Sequence, residues 1–157
     1  MMRRRRAERR ELEPDPKYGS ELITKLVNTV MRKGKKSVAR RIVYNAIEAL
    51  NQDNKEGDPV EIVRKAVDNV KPKLEVKSRR VGGATYQVPV EVNPHRQVSL
   101  ALRWIVRYAN ARKGVPMSKA LFLELMDAAN GQGSSIKKRD EVHKMAQANR
   151  AFAHLRF

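Results

Sequence analysis

Residues 73–92 read KLEVKSRRVGGATYQVPVEV. Here the spacing of apolar positions drops from the helical period of the flanking segments to a period of two. Leu74, Val76 and Ser78 alternate with Glu75, Lys77 and Arg79; after Gly82-Gly83, Tyr86, Val88, Val90 and Val92 alternate with Gln87, Pro89 and Glu91. Alternation on both sides of a glycine pair is the pattern of a β-hairpin with a flexible tip. Pro89 has no N–H to give to a central strand, but a two-stranded ribbon has only edges. Such a ribbon is marginally stable alone, so it must belong to a larger body. The chain on either side reads as helix. The expected fold is therefore mainly α: a six-helix domain with one protruding two-stranded β-hairpin between helices three and four.

Upstream, Leu22, Ile23, Leu26, Val27, Val30 and Met31 recur at three-to-four spacing until Gly34 stops the first helix. A second begins near Lys36, with Val38, Ile42, Val43, Ala46, Ile47 and Leu50 inward. Asp58-Pro59 opens the third, with aspartate as cap, proline at the first helical position and Glu61 three residues on. Its buried stripe is Ile62, Val63, Ala66, Val67 and Val70, and Pro72 ends it. Downstream, Asn93-Pro94 repeats the cap-then-proline signal and starts a long fourth helix to about Ala111. A fifth runs from about Ser118 to Ala129, with Leu121, Phe122, Leu125 and Met126 inward. Val142, Met145, Ala146, Asn149 and Phe152 mark a sixth.

The first seventeen residues have no apolar period. Arg3, Arg4, Arg5, Arg6, Arg9 and Arg10 crowd together, and Pro14-Asp15-Pro16 keeps the backbone extended. So many like charges cannot condense alone, so residues 1–17 are expected to form a disordered basic arm that orders on a partner. Residues 18–157 are expected to form one helical domain, with the hairpin at about 73–92.

The charge balance says that such a partner is negative: nucleic acid, an anionic membrane or an acidic protein. Thirty-four Lys and Arg oppose seventeen Asp and Glu in 157 residues, a formal net charge of +17. An excess of this size repels itself unless something negative neutralises it. No apolar run approaches a membrane span, and the basic N-terminus lacks the apolar stretch of a secretory signal. Zero cysteine excludes disulfides, thiolate nucleophiles and cysteine-ligated zinc. A soluble cytoplasmic protein with a polyanionic partner is expected.

Catalytic apparatus is not visible. Gly34-Lys35-Lys36-Ser37 approaches a phosphate-binding loop, but Thr29 stands at the earlier glycine position and Lys36 replaces the Ser or Thr. Gly131-Gln132-Gly133 lacks a third glycine. His95, His143 and His154 are not at metal-ligand spacing, which leaves them as surface or helix-packing residues. No enzyme, cofactor or metal is expected.

The fourth helix carries the strongest binding signal. At 100° per residue, Arg103 and Arg107 stand about −20° and about +20° from Arg96, a stripe about 40° wide. Val98, Ala101, Leu102, Ile105 and Ala109 fall on the opposite face. An apolar back and an arginine front suit a helix lying on phosphates; the alternative is a solvated basic face. Trp104 and Tyr108, at the border, serve either core packing or base stacking. Lys71, Lys73, Lys77, Arg79 and Arg80 make the hairpin a basic finger, or a surface ribbon docked on its own helices. A weaker group, Arg112, Lys113, Lys119, Lys137, Lys138 and Arg139, widens the footprint.

The hairpin run Ser78-Arg79-Arg80-Val81-Gly82-Gly83-Ala84-Thr85-Tyr86-Gln87-Val88-Pro89-Val90-Glu91-Val92 resembles the signature of bacterial small-subunit ribosomal protein seven. Asp15-Pro16-Lys17-Tyr18-Gly19-Ser20, Gly34-Lys35-Lys36, Asn69-Val70-Lys71-Pro72, Leu100-Ala101-Leu102-Arg103-Trp104 and Met145-Ala146-Gln147-Ala148-Asn149-Arg150-Ala151-Phe152-Ala153-His154 agree in order. Phe157 departs from an expected Trp. The resemblance implies six helices with a β-ribbon, and a structural constituent of the small subunit. It implies primary binding of the 3′ major domain of 16S rRNA and nucleation of the 30S head. It also implies a hairpin tip, Val81 to Ala84, near messenger and exit-site tRNA. It implies proteins nine and eleven as neighbours and no obligate homo-oligomer. In that family the arm, the start of helix two, the hairpin and helix four meet RNA; Arg3 to Arg6, Lys35, Lys36, Arg79, Arg80, Arg96, Arg103 and Arg107 occupy those elements here. The alternative is a DNA-architectural protein with a basic β-arm, which typically carries an apolar wedge at the arm tip. Val81-Gly82-Gly83-Ala84 is not one.

Overall fold

The computed structural model of the chain describes residues 4–55 and 57–155. Arg3 and Phe157 lie outside the described residues. The element order is α1 (Glu21–Val30), α2 (Lys36–Asp53), α3 (Pro59–Val70), β1 (Leu74–Val81), β2 (Ala84–Glu91), α4 (Pro94–Ala111), α5 (Met117–Ala129) and α6 (Ser134–Ala148), closed by a short 3₁₀ helix (Arg150–Leu155). Both cap-then-proline signals are realised. The Asp58 carboxylate accepts the Val60 N–H at 3.0 Å, and the Asn93 side chain accepts the His95 N–H at 3.0 Å. Each satisfies a donor that the first turn leaves unpaired. Glu61 pairs instead with Arg64, one turn on.

α5 is the centre of the domain and packs against α2, α3 and α4. Leu121, Leu125 and Ala128 are fully buried there, facing Ile47 and Leu50 of α2, Val63 and Val67 of α3, and Leu102 and Ile105 of α4 in one cluster. Burial of each Leu or Ile contributes about 1.5–3 kcal/mol. Two positions in phase with this stripe stay outside it. Val38 is 45% exposed, because α2 enters the core only from Ala39. Met145 is 56% exposed, because α6 packs through Ile136 and Ala146.

The arm packs earlier than its composition predicts. Asp15 is 4% exposed and accepts the Tyr44 hydroxyl at 2.8 Å and the Lys17 and Tyr18 N–H groups at 3.1 Å. Thr24 donates to the Glu13 carbonyl at 2.8 Å, and the Lys17 ammonium meets Glu48 at 2.8 Å. Segment 13–17 is therefore bound to α1 and α2, while residues 6–12 form neither helix nor strand.

The two strands pair antiparallel in a register from Leu74↔Glu91 to Val81↔Ala84. Gly82 and Gly83 make the turn with φ of +59° and +85°. A two-residue turn with both φ positive matches strand twist and favours glycine. The base of this ribbon is docked rather than free. Val88 is fully buried, Tyr86 lies 5.3 Å from Phe152 between ring centroids, and Arg79 donates to the Leu155 carbonyl. The sixth helical pattern extends past the helix itself: α6 ends at Ala148, and the turn at Asn149 brings Phe152 of the 3₁₀ helix onto Tyr86. Only the segment from Arg80 to Thr85 is exposed throughout, and it is this part that protrudes.

His143 of α6 joins the hairpin base by accepting the Lys73 N–H at its Nε2, 2.9 Å away. Burial, and then the Arg139 charge, push its pKa below the ordinary histidine value. The unfolded chain thus binds this proton more readily. The contribution of His143 is complete above about pH 6.5 and is lost as pH falls below that value. We expect the melting temperature to fall between pH 7.5 and 5.5, and His143→Gln, which keeps an acceptor, to fall less. A variant profile parallel to wild type would remove His143 from the acid response.

Candidate nucleic-acid interface

The back of α4 is core: Ala101, Leu102, Ile105 and Ala109 are buried. That fixes the rotation of the helix, and Arg103 and Arg107 therefore stand exposed on its front. Trp104 is buried and Tyr108 packs against the core, so both serve packing.

Arg96 is placed differently. Its Nε and Nη2 donate to the two oxygens of Glu75 at 2.9 and 3.0 Å, a fork that ties the first turn of α4 to β1. That hydrogen bond, with the Glu75 charge, holds the guanidinium proton more firmly than usual. Arg96 therefore both faces the surface and sets the angle of the hairpin on α4.

Beside this fork the arm, the hairpin and α4 converge. Arg6, Arg9, Lys77, Arg96 and Arg103 line one cleft with Glu75, Glu91 and His95. Five cations against two carboxylates leave a formal excess of three positive charges. A cleft with an excess of one sign of charge raises the local concentration of the opposite sign, which suits a phosphate backbone.

The remaining candidates lie outside this cleft. Arg4 and Arg10 are exposed, and Arg5 pairs with Glu8 at 2.8 Å in the exposed arm. Lys35 and Lys36 are exposed at the start of α2, and Arg80 is exposed beside the tip Val81, Gly82, Gly83 and Ala84. Lys113, Lys119 and Lys137 are exposed as well. Arg112 is not available in the same way: it donates to Glu124 at 3.1 Å and to Asp127 at 2.7 Å inside the domain. Arg139 is likewise engaged, with the Asn69 carbonyl and Asp140.

Two features escape sequence reading. His95, in the first turn of α4 capped by Asn93, lines the cleft. Arg40, on the half-buried flank of α2 beside Lys36, has a buried Nε with no hydrogen-bond partner among the described residues. Among the described residues no group of three His, Asp or Glu is placed to hold a metal, and no helix is long and apolar enough to cross a membrane.

The chain is similar along its whole length to known proteins. The family described as ribosomal protein S7p/S5e matches residues 2–150. A small ribosomal subunit protein uS7 of Akkermansia muciniphila is 60% identical over 157 residues, covering 100% of both chains. That of Thermotoga neapolitana is 57% identical over 156 residues, 99% of this chain and 100% of its own. That of Dictyoglomus thermophilum is 60% identical over 148 residues, 94% of each. With a family match across nearly its whole length and relatives this similar, the chain belongs to the ribosomal protein S7p/S5e family.

Proposed function

We propose that this chain binds the 3′ major domain of 16S rRNA through the cleft between arm, hairpin and α4, and nucleates folding of the head of the small ribosomal subunit. Family membership makes it a structural constituent of the small subunit and not an enzyme, at work on ribosomes in the bacterial cytoplasm. One observation carries the RNA reading: three separate elements, each basic in sequence, bring Arg6, Arg9, Lys77 and Arg103 to one cleft. Lys35, Lys36, Arg80 and Arg107 are further exposed cations outside the cleft. Protein neighbours nine and eleven follow from the family resemblance. Footprinting on naked 16S rRNA tests the reading: protection should map to the 3′ major domain. Equal affinity for duplex DNA and a structured RNA junction would revive a DNA-architectural role.

The exposed tip is proposed to face messenger and exit-site tRNA. Replacing Arg80–Thr85 by Asn-Gly joins Arg79 to Tyr86 through a two-residue turn and keeps both anchors to the 3₁₀ helix. The domain should stay folded, and rRNA binding should survive in part. In assembled subunits the expected change is in the rate of exit-site tRNA dissociation. Unchanged tRNA kinetics in well-assembled subunits would confine the hairpin to rRNA.

A further inference from the structure

Next to the arginine ridge lies a small groove between the start of α2 and the end of α4. Its floor is apolar, with Val38 and Ile42 on one wall and Val106 on the other, and Asn110 offers the polar group on the α4 wall. Arg32 and Lys35 stand at its rim. On the α4 surface, Val106 and Asn110 fall about 80° and about 40° to one side of Arg96, so the groove adjoins the face of Arg103 and Arg107. Val38, 45% exposed, is one of three large hydrophobic side chains left exposed among the described residues.

The loop at the rim is conformationally costly. Lys33 has φ +54° and is the one non-glycine with positive φ among the described residues; Gly34 follows at +74°. A left-handed lysine is disfavoured and persists only where surrounding structure holds it. Here the Lys35 N–H bonds the Arg32 carbonyl at 3.1 Å and the Lys36 N–H bonds the Gly34 carbonyl at 2.9 Å. This tight turn sets two cations, Arg32 and Lys35, over the open end of an apolar slot.

We propose that this groove receives a single unstacked base of the bound RNA, its flanking phosphates held by Arg32 and Lys35 on one side and by Arg107 on the other. The inference rests on the RNA-binding reading above and deepens it. The groove encloses about 220 Å³, below the roughly 300–1,000 Å³ of sites for drug-sized ligands, which matches one ring system rather than a cofactor. A splayed-out base needs an apolar seat for its faces and a donor or acceptor for its edge. Val38, Ile42 and Val106 supply the seat, and the Asn110 amide supplies both donor and acceptor. An acidic protein segment would also find the cations, but it would leave the edge-binding amide without a purpose.

The test uses two neutral variants of the full chain, Val38→Ser and Asn110→Ala, binding a 16S rRNA fragment that contains the 3′ major domain. Both positions are surface, so melting should be near wild type. Each variant should raise Kd about threefold to tenfold, the order set by losing one or two buried methyl groups or one hydrogen bond. The dependence of Kd on salt should stay parallel to wild type, because no phosphate contact is lost. The chain has no cysteine, so Val38→Cys gives a unique site for a photoreactive label, which should crosslink to one nucleotide. Kd within twofold of wild type for both variants overturns the proposal, as does a label that crosslinks to a protein in assembled subunits. A wild-type chain with no affinity for the fragment would overturn the RNA reading itself, so the two failures are distinguishable.

Discussion

Replacing Arg103 and Arg107 together by Gln is expected to weaken binding to the 3′ major domain fragment at least a hundredfold and to leave the melting temperature nearly unchanged. Both side chains are exposed on the front of α4, and neither makes a hydrogen bond or ion pair within the described residues. Their removal takes nothing from the core. A hydrogen bond to a charged group is worth roughly 1.5–3 kcal/mol, and about 1.4 kcal/mol is tenfold, so two lost contacts give the stated range. The salt dependence offers an independent readout. If about six to ten phosphates are contacted, raising salt from about 50 to about 200 mM should weaken wild type on the order of a thousandfold or more. The double variant should lose roughly one unit of logarithmic slope per arginine. Wild-type affinity, or an unchanged slope, would leave the ridge as a solvated basic face. Arg96 is kept out of this variant for a structural reason: Arg96→Gln would also break the fork to Glu75 and shift the hairpin.

Arg112→Ala should act in the opposite way, with stability falling steeply and any RNA effect secondary to it. Glu124 is 1% exposed and accepts the Ser135 hydroxyl at 3.1 Å as well as the Arg112 guanidinium. Burial works against the Arg112 charge, but the bond to Asp127 and the Glu124 charge more than restore it, so the guanidinium holds its proton more firmly than usual. Removing it leaves a carboxylate buried among α4, α5 and α6 with only a serine to satisfy it. Breaking such a pair costs about 3–5 kcal/mol. The Arg112 side chain is 29% exposed, which puts the expectation at the low end, near 3 kcal/mol. In a chain of this size that is a drop in melting temperature of about 6–12 °C. The double variant Arg112→Ala/Glu124→Leu should recover part of the loss, because no charge is then buried. If Arg112→Ala melts within a degree or two of wild type, the network carries no stability. If it binds RNA poorly while melting normally, Arg112 belongs to the interface after all.

The sequence by itself determined the helices, their caps and the ribbon, because each is written in neighbouring residues. Asp58-Pro59 and Asn93-Pro94 start helices through bonds that span two or three positions, and Gly82-Gly83 turns the ribbon through two dihedral angles. The face of α4 was legible for the same reason: its apolar stripe fixes which way Arg103 and Arg107 point. The tertiary structure alone decided which cations are spent internally and which remain for a partner. Arg96 meets Glu75 across 21 residues, Arg139 meets the Asn69 carbonyl across 70, and Arg79 meets the Leu155 carbonyl across 76. Nothing in the local pattern of an arginine distinguishes one that will find a carboxylate from one that will not. Charge acts through space and periodicity acts along the chain, so the composition could announce a polyanionic partner while only the folded chain brings Arg6, Arg9, Lys77 and Arg103 to one cleft, the surface proposed to meet it.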